Sequence, residues 1–155
     1  MLKKLGVFFL VGLMTLSACG KKEANIYELR TEYVGDASKV SNLVGALDYG
    51  EDLNYKSLEL LTDDGAREIK IYLDGNIGDV DENNFIKQNA LIFSLIKNLE
   101  KIGYVVIDEN ITMPLELVSR ADVDLYTKKI YGMTSEEIYE SEETIEKIYK
   151  EIKDK

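Results

Sequence analysis

The chain of 155 residues contains no His and no Trp, and only 1 Cys and 1 Pro. The missing His excludes Ser-His and Cys-His nucleophilic catalysis. It also excludes nearly all zinc sites and most transition-metal sites. Carboxylate, Lys, Tyr and Ser chemistry remains. A lone Cys permits no disulfide within the chain, so a folded body has to stand on its apolar core. Positive charge is scarce, with 19 Lys and Arg against 29 Asp and Glu and a net charge of −10. That balance argues against nucleic acid as a partner, because a phosphate backbone demands a basic surface. It also argues against the body lying flat on an anionic membrane; solubility is the simplest reading of the acidity. No Gly-Lys-Ser/Thr phosphate loop is present.

Long apolar runs are missing too. A membrane-spanning helix needs about 20 apolar residues, and the stretch from Leu5 to Leu16, interrupted by Gly6 and Gly12, falls short. Lys3 and Lys4 precede it and small residues follow it, the pattern of a secretory signal peptide. Leu16-Ser17-Ala18-Cys19 resembles the lipobox of bacterial lipoproteins. The resemblance implies that Cys19 receives a diacylglyceryl group and that residues 1–18 are removed. A thiol suits this role because its sulfur is a strong nucleophile once ionised. Residues 19–25 then read as a lipidated tether, with Lys21 and Lys22 at the headgroups, and 26–155 as a single extracytoplasmic domain. Loss of Lys3 and Lys4 leaves the mature chain two charges more acidic.

Periodicity predicts the elements. Ile26 to Thr31 reads as a short strand. Asp36 reads as the N-cap of a helix to about Leu47, since Val40, Leu43, Val44 and Leu47 fall on one face. Tyr55 to Leu73 alternates as a hairpin about Asp63-Asp64-Gly65. The wide apolar stripe from Phe85 to Ile102 predicts one long, deeply buried helix over about 82–102, capped by Asp81 and stopped before Gly103. Tyr104 to Ile107 reads as a buried strand and Leu115 to Val118 as another. Ser119 caps a helix to about Tyr131, and Ser135 opens a last helical stretch that the Ser141-Glu142 step divides. The resulting fold class is α+β, an antiparallel sheet with helices packed on it. The β-α-β-β-α-β order is that of a ferredoxin-like fold, followed by extra C-terminal helices.

Tyr33-Val34-Gly35-Asp36 and the segment from Asn89 to Leu99 resemble the opening and long-helix motifs of an uncharacterised domain of unknown function carried by Gram-positive lipoproteins. The resemblance covers residues 27–131. Similar domains behind membrane-embedded metallopeptidase sensors imply a signalling context. The family has no agreed activity, so the resemblance assigns no catalytic residue.

Asp74, Asn76, Asp79, Asp81, Glu82 and Asn83 crowd one loop, and oxygen-rich loops can hold calcium. The EF-hand spacing fails from Asp79, where the Gly position holds Asn84 and the bidentate Glu position holds Ala90. No metal or cofactor is therefore expected. Tyr27, Tyr33, Tyr49, Tyr55, Tyr72 and Tyr104 are candidates for lining a groove. The function expected is a non-enzymatic binding or sensor domain. Its partners are the membrane, through lipidated Cys19, and a membrane or envelope protein. The alternative is a cell-envelope enzyme using carboxylate or Tyr acid/base groups, and a passive spacer is a third reading.

Overall fold

Asp36 opens the first helix as its sequence predicts: its carboxylate accepts from Lys39 N at 3.3 Å. The computed structural model describes residues 25–80 and 85–154. Its elements are α1 (Ala37–Gly45), β1 (Leu53–Leu61), β2 (Glu68–Gly75), α2 (Ile86–Leu95), β3 (Lys101–Asp108), β4 (Ile111–Pro114), β5 (Val118–Ser119), α3 (Arg120–Tyr131), α4 (Ser135–Tyr139) and α5 (Glu142–Lys153). The class is α+β, with a mostly antiparallel five-stranded sheet.

The expected β1–β2 hairpin forms, pairing Leu58 with Ile71 and Leu60 with Ile69, with a bulge between Tyr55 and Ser57. Its turn takes Asp64 and Gly65 to φ of 54° and 83°, the left-handed region that Asp and Gly tolerate. β2 and β3 run parallel, so the expected antiparallel pairing holds elsewhere in the sheet and is corrected at this pair. The connection from Asn76 to Glu100 passes through α2 and carries the chain back to the starting end, as parallel pairing requires. The expected first strand is also corrected. Residues Ile26–Leu29 form a 3-10 helix capped by the Asn25 side chain, and only Thr31 makes a bridge, to Ile96. The element order therefore opens on helix, and the ferredoxin-like order is not formed by the described elements.

α2 is shorter than its stripe predicts. It ends at Leu95, where the Thr31 bridge and the Arg120 side chain take over its last carbonyls. The apolar spacing continues because Ile96, Leu99 and Ile102 enter the same core from a turn and a strand. Gly103 lies inside β3, not beyond a helix. The expected cap Asp81 lies outside the described residues. Every residue of α2 from Gln88 to Leu95 is buried, the polar Gln88, Asn89 and Ser94 along with the apolar majority. The sheet lies on one side of it, and α3, α4 and α5 contact it as well.

The strand expected at Leu115–Val118 is divided. β4 pairs with the second half of β3 and β5 with its first residues, so Leu115–Leu117 leaves the sheet edge between them. Ser119 and Asp122 form a capping box at α3, and Gly132 ends it at φ 73°. Thr134 and Glu137 repeat the box at α4, and Ser141 caps α5 after the break. Ile145, Ile148 and Ile152 of α5 are fully buried in the common core. At about 1.5–3 kcal/mol for each buried side chain, they make the C-terminal helices part of the fold's stability.

Candidate functional site

The departure of Leu115–Leu117 from the sheet edge opens a cavity of about 380 Å³. Its floor is aromatic. Phe85, at the entrance of α2, stacks on Tyr104 of β3 with centroids 4.5 Å apart, and Tyr49 meets both rings edge-on. Alternation along β3 directs Tyr104 inward beside Ile102 and Val106. Asn89, one turn into α2, accepts the Tyr104 hydroxyl at 2.6 Å. Tyr49 spends its hydroxyl on the Val44 carbonyl at 2.9 Å. The outer wall is held in place by Leu115 N, which donates to the Tyr104 carbonyl at 2.9 Å. Gly103 lets that wall lie close, since a Cβ there would stand 3.0 Å from Leu117 Cδ2.

Glu116 and Asp122 are the charged groups on the lining, and both are exposed. The hydrogen bonds from Ser119 hold the Asp122 carboxyl below the usual Asp range. Burial pushes the Tyr104 and Tyr49 phenols far above the ordinary Tyr range. Both phenols therefore stay neutral near pH 7 and serve as donors, unavailable as bases or nucleophiles. The site combines an aromatic floor, one buried amide and a carboxylate rim, with no Lys or Arg among its lining residues.

The residues singled out from sequence are distributed unevenly. Of the six tyrosines, Tyr104 lines this cavity and Tyr49 packs behind it against the Phe85 and Tyr104 rings. Tyr27 and Tyr33 border a separate depression, Tyr55 packs beside Gly45, and Tyr72 donates to Glu59 on the outer sheet face. The two family-like motifs meet each other: Val34 N donates to Asn98 Oδ1 at 2.7 Å. Thr31 and the Leu95–Lys97 backbone reinforce that junction at 2.8 and 2.9 Å. These bonds give the motifs a structural role, and Asn89 alone extends into the site. In the acidic loop, Asp74 pairs with Lys56 at 2.9 Å and Asn76 accepts from Gly78 N. Among the described residues no cluster of three or more Cys, Asp or Glu could hold a metal. Asp81, Glu82, Asn83, Cys19 and the Lys21–Lys22 tether lie outside the described residues.

Sequence reasoning missed Phe85 as a site residue, along with Leu115–Val118 and Asp122. The available signal was Asn89, one of the few polar residues, with Gln88 and Ser94, on the buried part of α2. The wall could not be found from spacing, because it arises where two short strands share one edge.

Residues 26–120 match the family described as Domain of unknown function (DUF4825). That span holds the sheet, α1, α2 and most of the cavity, and stops at Arg120. No curated protein and no solved structure matches the chain.

Proposed function

Starting from the premise that the chain belongs to the DUF4825 family, we propose that it is a lipid-anchored, non-enzymatic binding or sensor domain on the extracytoplasmic face of the cell membrane. The observation that carries this reading is the position of the only Cys, at the end of a charged, apolar and then small-residue leader. Two acyl chains hold a protein stably where one does not, at about 0.8 kcal/mol for each buried CH₂. The anchor would keep the domain beside a membrane or envelope protein partner.

The cavity between α2, β3 and Leu115–Leu117 is the ligand site in this reading. Its volume lies within the range of small-molecule pockets, and its aromatic floor with one buried amide follows their usual composition. Carboxylates without a balancing cation on the lining favour neutral or cationic apolar molecules over anions. The inert phenols favour binding over catalysis.

A thermal-shift screen of the purified full chain with small apolar alcohols, amines and carboxylates tests the site. Neutral and amine compounds are expected to raise the melting temperature, by an amount equivalent to about 2.7 kcal/mol at a hundredfold excess over Kd. Leu115→Trp, which fills the cavity, should abolish the effect. Stabilisation by carboxylates alone, or a shift unchanged by Leu115→Trp, would overturn the assignment.

A further inference from the structure

A second feature stands where the described chain begins. The 3-10 helix Ile26–Leu29 and the residues after it border an open depression of about 500 Å³. The Arg30 guanidinium lies 3.9 Å from the Tyr27 ring centroid and 5.6 Å from that of Tyr139. Lys97 Nζ stands 5.4 Å from the same Tyr139 ring. Lys39 Nζ donates to the Arg30 carbonyl at 3.0 Å, which holds a third cation at the edge. Tyr33 projects beside them and is 66% exposed.

Lys56, Arg67, Lys70, Lys87 and Lys101 each pair with a carboxylate. Among the described residues, Arg30, Lys39 and Lys97 form no such pair; they rest on tyrosine rings or a backbone carbonyl. Glu28 and Glu32 share the rim with Arg30 and Lys39, and Lys97 beside Tyr139 brings the cations to three against two carboxylates. An arginine held over a ring still presents N–H donors at its edge, and that fork fits a phosphodiester. Tyrosine is the residue type that sits at a membrane–water interface.

We propose that this Arg30–Lys39–Lys97 and tyrosine surface docks on anionic phospholipid headgroups, so that the domain stands end-on at the bilayer while its acidic remainder faces away. The occupant follows from charge complementarity and from the path of the chain. Asn25 lies only six residues after Cys19, and an extended chain of that length reaches about 20 Å. The surface around Ile26 is therefore the part of the domain nearest an anchor at Cys19, and the proposal rests on that anchor for its geometry. The ligand cavity is lined instead by Phe85 and Asn89, at the start of α2, while Thr31 and Lys97 meet just beyond its other end.

The absence of Trp supplies the assay. Tyr33→Trp in the full chain places a single fluorophore at the surface. The protein is mixed with vesicles of phosphatidylcholine alone, or of equal parts phosphatidylcholine and phosphatidylglycerol, each carrying a headgroup nitroxide quencher. Flotation on phosphatidylcholine reports the anchor; quenching of the introduced indole on the mixed vesicles reports the surface. Quenching is expected on the mixed vesicles, reduced by high salt. Lys39→Gln and Lys97→Gln alter exposed side chains and spare the fold. Each should weaken the headgroup interaction about fivefold, the equivalent of about 1 kcal/mol for each basic residue near the surface. Arg30→Gln should add to them. Flotation on both vesicles with the indole unquenched would overturn the docking surface and leave the anchor standing. Flotation and quenching on the mixed vesicles alone would support the surface and refute the anchor. No flotation on either would refute both.

Discussion

Replacing Arg120 by Ala should be among the most destabilising single changes in this fold. Its side chain donates to the carbonyls of Phe93, Ile96, Lys97 and Leu99 and to Ser135 Oγ, at 2.6 to 3.2 Å. These carbonyls belong to the end of α2 and the turn after it, where a helix leaves its last carbonyls without intrahelical partners. A cation there also opposes the negative end of the helix dipole. The Lys97 bond is exposed and water would replace it. The other three carbonyl bonds and the Ser135 bond are partly buried. At about 1 kcal/mol each after discounting for that exposure, the loss comes to roughly 3–5 kcal/mol once the guanidinium lying 5.3 Å from the Phe93 ring centroid is included. In urea, with a slope of about 2 kcal/mol per molar, the midpoint should fall by roughly 2 M with the slope unchanged. Circular dichroism of the full chain reads this directly. Arg120→Lys should recover less than half, since an ammonium cannot span four carbonyls. A loss under about 1 kcal/mol, or one no larger than that of Ser135→Ala, would refute the view that Arg120 terminates α2.

Tyr104→Phe should cost about 1–2 kcal/mol in the same assay, because it leaves the buried Asn89 oxygen without its donor. Gly75→Ala should cost about 1–3 kcal/mol or more: its Cβ would stand 1.9 Å from the Asp52 carbonyl oxygen, whereas Gly35→Ala meets nothing within 4 Å and should be nearly neutral. Asp122 and Glu137 are held below their ordinary values of 3.8 and 4.5 by hydrogen bonds at the α3 and α4 caps. Their stabilisation is present above those values and is lost as pH falls through the lower folded ones, so midpoints measured against pH should drop on the acid side, and less steeply in Ser119→Ala and Thr134→Ala. On the alkaline side Tyr104 and Tyr49, raised by burial, stabilise fully below 10 and lose that contribution as pH rises beyond it. Absorbance should therefore show these phenols ionising only together with unfolding.

The legible parts of the sequence were those with a local cause. Asp36, Ser119 and Gly132 mark helix ends through their own side chain or backbone freedom, and each does so in the structure. The Asp63–Gly65 turn and the flanking alternation fix the hairpin register for the same reason. Nonlocal competition decided the rest. The apolar stripe through Ile96, Leu99 and Ile102 suits a longer helix, yet contacts from Thr31 and Arg120, distant in sequence, end it at Leu95. Ile26–Thr31 reads as a short strand, but Asn25 caps Ile26–Leu29 into a 3-10 helix with Ile26 buried. Parallel pairing of β2 with β3 depends on where the chain returns after α2, which no window of residues encodes. The site divides similarly. Tyr104 and Asn89 stand out by type, while Phe85 and the Leu115–Leu117 wall emerge only from the paired strands.

The most direct test of lipid anchoring is the intact mass of the chain purified from membranes of cells that express it. The expected product is a mature protein that begins at Cys19 and carries the added mass of a diacylglyceryl group, with Cys19→Ala lacking that mass. A chain recovered in the soluble fraction, or one with an unmodified Cys19 thiol, would contradict it.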